Sequence, residues 1–336
     1  MELRLRGVCS CSDLHDWIGG GVFPAPSVLS LRLSNGRDVE ISHTIAFRMD
    51  AERYGGNGFD RGGWFVCFSM KVNITLSLCI GLVALVSCQK NPEPHILSGT
   101  SMGTTWKLAW RGDEESGLDQ EVSEVLEKWE QVLSQWREGS DLSRYNRGEA
   151  ASAELQRVID LAEIVHQQSA GAFDHRLLKE TGEAGFGPSG KGMDLSAIAK
   201  GFAVDRVGER LRELGVEDFV FELGGEILVG DGEWEVAIEA PDPATQTIAR
   251  TIKLRARAMA TSGNYRQFTP ASGGLASHII DPKTGTPIIR PPSSVTVYAN
   301  DCATADAWAT ALFVLGPEFK TPEGIQAQWQ ERTRDF

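Results

Sequence analysis

The apolar residues Val122, Val125, Leu126, Trp129, Val132, Leu133 and Trp136 recur at intervals of three and four. That spacing lines one face of an α-helix, and a helix with such a stripe must bury it against another element. Two further segments repeat the period: Leu155, Val158, Ile159, Ala162 and Val165, then Ile198, Phe202, Val207, Leu211 and Leu214. Elsewhere the period is two. Trp234, Val236 and Ile238 alternate with Glu233, Glu235, Ala237 and Glu239, the pattern of a half-buried strand. Ile252 and Leu254 alternate with Lys253 and Arg255, and Ser293 to Ala299 is rich in β-branched residues. Helices interspersed with hairpin-connected strands predict an α+β domain with mixed or antiparallel sheets and packed helices, not a doubly wound parallel sheet.

The chain has 336 residues, room for one large domain or two small ones. Its net charge of −13 and the lack of any Lys/Arg stripe exclude a nucleic-acid partner, because phosphate neutralisation needs clustered cations. An acidic protein still binds a dinucleotide through backbone N–H groups and a metal ion. No full Walker A pattern occurs, which argues against a P-loop enzyme; the single GxGxxG match, Gly185 to Gly190, and the single GxSxG match, Gly99 to Gly103, are weak signals on their own. Cys9 and Cys11 look like half of a metal site, but no second Cys/His pair follows at zinc-ligand spacing.

Near residue 70 the character of the chain changes. Lys71 precedes an apolar run from Ile74 to Val86, shorter than the roughly 20 residues that span a bilayer. It has the length of the apolar core of a secretory signal. The run ends in Leu85-Val86-Ser87-Cys88, which resembles the lipobox of bacterial lipoproteins, where the Cys is lipidated. The expected organisation is therefore a signal over 70–88, a polar tether over 89–98 and a catalytic domain over 99–336. Residues 1–69 carry no sustained period and are expected to be an unstructured extension upstream of a true start at Met70. Export would leave Cys88 and Cys302 in the mature chain and place it on the periplasmic side, lipid-anchored to the membrane.

Three segments hold polar residues that a plain scaffold does not need. In Met193 to Gly201, Asp194 or Ser196 would cap a helix, and Lys200 lies near the helix N-terminus, where the dipole disfavours a cation unless an anion is close. In Ser277 to Gly285, His278 stands three residues from Asp281, with Asp-Pro and Thr-Gly as turn signals. In Asp301 to Phe313, Asp306 and Thr310 are four apart on one helix face. They offer hard oxygen ligands that suit Mg²⁺; first-turn dipole pairing and packing are the equal alternative.

Taken in order, the motifs Met102 to Trp106, Ser140 to Asn146, Gly171 to Asp174, Gly185 to Gly187, Asp194 to Gly201, Leu223 to Glu226, Thr261 to Tyr265, His278 to Gly285 and Ala305 to Thr310 resemble the FAD:protein FMN transferases, the ApbE family. The resemblance runs from about Thr100 to Gly316 and implies a single T-fold-like domain. It implies transfer of FMN from FAD to a Ser or Thr hydroxyl of an acceptor protein, with release of AMP. It also implies roles for residues. Asp306, Thr310 and the Ala197 carbonyl would bind Mg²⁺. Met102, Trp136, Ala172, Phe173, Asp174, Asp194, Lys200 and Ile279 would line the FAD site. His278 would act near the transferred phosphate, with Asp281 as a second candidate.

The chain departs from the family pattern in three places. Pro188 to Met193 is a short link where a longer insert is usual, the part after Gly316 is short, and His175-Arg176 follows Asp174. The same residues would serve a hydrolase that splits FAD to FMN and AMP, and a non-catalytic FAD-binding lipoprotein is the third reading.

Overall fold

The structure is a computed structural model. It describes residues 93–332, together with the backbone of two strands nearer the N-terminus, and divides into two units, Met1–Asn91 and Pro92–Phe336. In the first unit, β1 (Ser30–Ser34) pairs antiparallel with β2 (Asp38–Ser42). This hairpin corrects the expectation that 1–69 is wholly unstructured. The sequence signal was there: Asn35-Gly36, a dipeptide that favours tight hairpins, lies between the two strands. The signal segment 70–88 and Cys88 lie outside the described residues.

The second unit begins earlier than expected. Strand β3 (His95–Ser101) starts inside the stretch assigned to the tether, because its residues pair along their whole length with β4 (Thr104–Trp110). The main sheet has seven strands in the order β14-β13-β9-β6-β5-β4-β3, built from β5 (Phe219–Leu223), β6 (Glu226–Val229), β9 (Arg257–Gly263), β13 (Ser293–Ala299) and β14 (Gln326–Glu331) as well. Every neighbouring pair in it is antiparallel. A separate hairpin joins β7 (Trp234–Glu239) to β8 (Ile248–Leu254), and β10 (Phe268–Ala271), β11 (Gly274–Asp281) and β12 (Thr286–Arg290) form a three-stranded sheet.

Period-two alternation sorts the side chains of the main sheet onto two faces. Trp106, Leu108, Phe219, Phe221, Leu228, Ala258, Ala260, Val295 and Val297 face the large core. Their neighbours Ala109, Ile227, Val229 and Met259 face a smaller core made with Trp234, Val236, Ile238 and Leu254 of the β7–β8 hairpin. Central strands are thus buried on both sides, and β6 is buried at all of its positions.

Helices cover the large-core face. They are α1 (Leu118–Leu133), α2 (Asp141–Asn146), α3 (Ala153–Gln168), α4 (Leu178–Glu183), α5 (Ser196–Glu213) and α6 (Cys302–Leu315). Serines cap two of them: Ser140 accepts from the Ser143 N–H and Ser152 from the Leu155 N–H. The first helix is shorter than its periodicity predicts. It ends at Leu133, and Trp136 lies beyond it, 66% exposed, with its N–H donated to Ser134 Oγ. The i+3 step from Leu133 continued by coincidence into a turn.

Helix α6 is mostly Ala, Leu, Val, Phe and Trp, and it is buried on most sides between α5 and the sheet. Its N-terminal N–H groups are held by carboxylates. Asp301 accepts from the Thr304 N–H at 2.8 Å, and Asp205 of α5 accepts from the Cys302 and Ala303 N–H groups at 2.7 and 2.9 Å. The two helices approach most closely at Gly201. A Cβ there would collide with the Cys302 carbonyl oxygen and lie 2.8 Å from the Asp306 Cβ.

This crossing generates a test. In Gly201→Ala the gain in helix propensity, about 1 kcal/mol, is outweighed by overpacking of about 1–3 kcal/mol against backbone that cannot move aside. Because the clash is with the Cys302 backbone, the cost lies near the upper end of that range, and the variant is expected to be about 2 kcal/mol less stable in urea unfolding. An unchanged or raised midpoint would show that the helices have room to spare.

Candidate functional site

The α5–α6 crossing brings together three ionisable side chains. Lys200 sits one residue before Gly201 on α5, Asp306 faces it from α6, and Glu226 opens strand β6. Lys200 Nζ lies 2.6 Å from Glu226 Oε1. Asp306 Oδ2 accepts the Gly201 backbone N–H at 3.0 Å. Glu226 is 3% and Asp306 4% exposed. Burial pushes Glu226 up to about 8 against the pull of Lys200, and it raises Asp306 as well. The anion that sequence reasoning demanded for Lys200 is therefore present in the protein itself, as two carboxylates around one ammonium. Glu226 Oε2 is buried and has no hydrogen-bond partner.

Asp306 and Thr310 share a face of α6 as their spacing predicts, and Thr310 Oγ1 is 3.2 Å from Ser262 Oγ of β9. Ala197 lies in the first turn of α5. Its carbonyl has the Gly201 N–H as its ordinary ladder partner, four residues on. The same N–H donates to Asp306 Oδ2.

Asp194 is buried just before α5. Its Oδ1 accepts the Ser196 N–H at 2.9 Å and its Oδ2 accepts from Thr181 Oγ1 of α4 at 2.9 Å. The N-cap position is Leu195, with no side-chain cap bond, so neither Asp194 nor Ser196 is the cap; Asp194 closes a turn onto the Ser196 N–H, and Ser196 is the first residue of the helix itself. The short link before it is fixed by Asn146, whose side chain receives the Met193 N–H and donates to the Met193 carbonyl, each at 2.8 Å.

His278 lies in a bulge. The register of β11 on β12 passes from Ala276↔Ile289 to Ile280↔Pro287, so Ser277, His278 and Ile279 stand opposite Ile288 alone. Bulges of this kind re-aim a side chain. His278 Nδ1 lies 3.3 Å from the Gln267 carbonyl, which can only accept, so Nδ1 carries the proton and Nε2 of the neutral ring keeps its lone pair. Burial lowers its pKa below the usual histidine value; Gln267 and Asp194 oppose that, and Lys200 adds to it. Asp281 is not joined to His278. Its Oδ1 accepts the Lys283 N–H and its carbonyl accepts the Gly285 N–H, both within the turn that leads to β12. Ile279 is in the core, with its N–H donated to Ser277 Oγ.

Met102 occupies the turn between β3 and β4. Its φ is 49° and that of Gly103 is 73°, the pair of positive values that a two-residue type I′ hairpin turn needs. The Met102 N–H donates to Glu130 Oε2 of α1, and Arg137 pairs with the same carboxylate oxygen at 3.0 Å. The turn is thereby tied to the segment that carries Trp136.

The segment Ala172 to Asp174 is held from several sides. Ala172 and Phe173 are buried. The Phe173 N–H donates to Ser169 Oγ, and the Phe173 carbonyl takes the His166 Nδ1 proton at 2.7 Å. Phe173 therefore shapes the loop with both backbone groups engaged. Asp174 is bonded by the Arg176 Nε at 2.8 Å; burial raises its pKa, but Arg176 more than offsets this and leaves it low. Arg176 also reaches His166 Nε2 at 2.6 Å, and the His175 carbonyl receives the Asp194 N–H. The unusual His175-Arg176 pair thus ties this loop to Asp194. Sequence reasoning gave no role to Glu226, Asn146 or Arg176. The available signal for Glu226 was an acidic residue opening the otherwise apolar run Ile227-Leu228-Val229.

Comparison with known proteins places these residues in a family. The family model described as "ApbE family" matches residues 102–192 and 178–328. A relative from Vibrio cholerae, named FAD:protein FMN transferase, is 32% identical over 287 residues, covering 70% of this chain and 86% of the relative. One of the same name from Haemophilus influenzae is 29% identical over 293 residues, covering 70% and 85%. Among solved structures, the flavin transferase ApbE from Vibrio cholerae superposes with a TM-score of 0.59 at 30% identity, covering 71% of this chain and 97% of that one. The Pseudomonas stutzeri flavinyl transferase ApbE in its apo form gives 0.60 at 26% identity, covering 71% and 95%. The site built around α5, α6 and the β11 bulge is that of a member of the ApbE family, to which this chain belongs.

Proposed function

We propose that this protein is a flavin transferase that moves FMN from FAD to a Ser or Thr hydroxyl of an acceptor protein, with Mg²⁺ and with AMP as the leaving product. One observation carries the reading: an excess of buried carboxylate over ammonium at Asp306, Glu226 and Lys200, set near a histidine that keeps an unprotonated nitrogen. Burial disfavours the charged form of both carboxyls, and a divalent cation beside them would restore it, so the cluster suits such an ion better than an apolar or neutral ligand. Asp306 and Thr310 side chains and the Ala197 carbonyl are the oxygens that would hold Mg²⁺. The ion when bound neutralises charge on the pyrophosphate oxygens.

The remaining work falls to side chains of this protein. Phosphoryl transfer asks mainly for in-line positioning and charge neutralisation. Lys200 supplies a fixed ammonium for the phosphates. Met102 and Trp136 supply an apolar rim, and the exposed indole of Trp136 offers a face on which an aromatic ring stacks. Asp174 and Asp194 offer acceptors beside it. His278 Nε2 takes the proton of the acceptor hydroxyl as its oxygen bonds to the FMN phosphorus, while the bond from that phosphorus to the AMP phosphate oxygen breaks.

We also propose that the protein is exported and held at the membrane by a lipid on Cys88, on the strength of the Lys71, Ile74–Val86 and Cys88 sequence pattern. Among the described residues no helix is long and apolar enough to cross a membrane. Incorporation of a radiolabelled fatty acid in cells should be lost in Cys88→Ala; labelling that persists in this variant would refute the anchor.

The reaction is tested by mixing purified protein, FAD, Mg²⁺ and an exported acceptor that carries a Ser or Thr flavinylation motif. Covalent flavin fluorescence on the acceptor is expected, whereas free FMN and AMP with unlabelled acceptor would make the enzyme a hydrolase. Asp306→Ala is expected to abolish turnover, and Mg²⁺-dependent activity retained in that variant would break the site assignment.

For His278 the sign of the pH dependence follows from burial. Its lowered pKa keeps the ring neutral, and so basic, below pH 6.5, with Lys200 reinforcing this and Asp194 opposing it. The acid limb of kcat is expected below pH 6.5, and His278→Ala should lose that limb together with about 10²–10⁴-fold in rate. An acid limb unchanged in His278→Ala would assign it to another group.

A further inference from the structure

Glu226 has two carboxylate oxygens in different situations. Oε1 is 2.6 Å from Lys200 Nζ. Oε2 is buried, with no hydrogen-bond partner. The residue as a whole is 3% exposed, so bulk water does not satisfy that oxygen. A buried carboxylate oxygen left unpaired is costly, and most buried polar side-chain atoms in native structures have a protein, water or ion partner.

The backbone around it explains why it stays there. Glu226 follows Gly224 and Gly225, whose φ values of 62° and 108° turn the chain between β5 and β6. It is paired in register with Leu223, and the next three residues of β6 are buried apolar positions. The side chain is delivered from the sheet toward the crossing of α5 and α6. There the charges of Asp306 and Lys200 both act on it. A carboxylate whose sole purpose was to hold Lys200 would be expected to use its second oxygen on a backbone N–H or a hydroxyl, as Asp205 and Asp194 do with both of theirs.

We propose that Glu226 is a further acidic member of the cation site, its Oε2 accepting a hydrogen bond from water on the bound divalent ion while its Oε1 holds Lys200. This rests on the Mg²⁺ reading given above and extends it by one residue from the sheet. Glu226 then couples the ion to Lys200, so that the metal and the ammonium face the pyrophosphate as one rigid cationic unit. Partners in the outer shell of a metal site fix ligand orientation, and their loss weakens metal binding about 10–100-fold.

The test is Mg²⁺ affinity of the FAD-free protein by isothermal titration calorimetry, a readout independent of turnover. If the wild type takes up no Mg²⁺, the metal reading itself fails. If it binds, Glu226→Gln, which keeps the shape and removes the charge, is expected to bind about 10-fold or more weakly with an unchanged far-UV spectrum. A folded Glu226→Gln with wild-type Mg²⁺ affinity overturns the proposal and leaves Glu226 as a partner of Lys200 alone. Should Glu226→Gln fail to fold because Lys200 is left unpaired, the comparison is between Lys200→Met and the double variant Lys200→Met/Glu226→Gln. Weaker Mg²⁺ binding in the double variant supports the assignment, and equal binding overturns it.

Discussion

The close crossing of α5 and α6 at Gly201 is the constraint on which the rest of the site depends. With no side chain at Gly201, the α5 backbone comes near enough for its N–H to reach the Asp306 carboxylate at 3.0 Å. That one approach sets three things together. It aims Asp306 at α5, it places Lys200 beside that carboxylate, and it gives the carboxylate the Gly201 N–H as a donor. A larger residue would part the helices and separate all three. The capping of α6 by Asp205 works to the same end, since it fastens the first turn of α6 to α5 one turn further along.

The sheet explains why buried charge is tolerated there. Its central strands are covered on both faces, so β6 can carry Glu226 into the interior without exposing an edge. Unpaired, such a group would cost several kcal/mol. Lys200, 2.6 Å from Glu226 Oε1, offsets part of this. The same low-polarity surroundings act on His278 in the opposite sense. They hold its ring neutral, while the hydrogen bond from Nδ1 to the Gln267 carbonyl decides which nitrogen stays basic.

The loops around this centre are fixed by side chains rather than by length. Asn146 clamps both backbone groups of Met193, Thr181 and the Ser196 N–H hold Asp194, and Arg176 and His166 brace the Phe173–Asp174 segment. The short link from Pro188 to Met193 therefore needs no helix of its own to hold its C-terminal end in position.

The sequence by itself determined the fold class, the four longest helices, three of the strands and the family, because these rest on local periodicity and on motif order. It also placed Asp306 and Thr310 on one face, since helical spacing is a local property. It failed where a local pattern ran past its element, as at Trp136, or where a pairing began unannounced, as at His95. It linked His278 to Asp281 by counting three residues, whereas a bulge aims the histidine toward Lys200 and Asp194 and leaves Asp281 to its turn. Only the tertiary structure brought Glu226, Lys200 and Asp306 together, across strand and helices far apart in the chain. Charges that meet through packing leave no spacing in the sequence, and the burial that gives them their chemistry exists only once the helices have closed on the sheet.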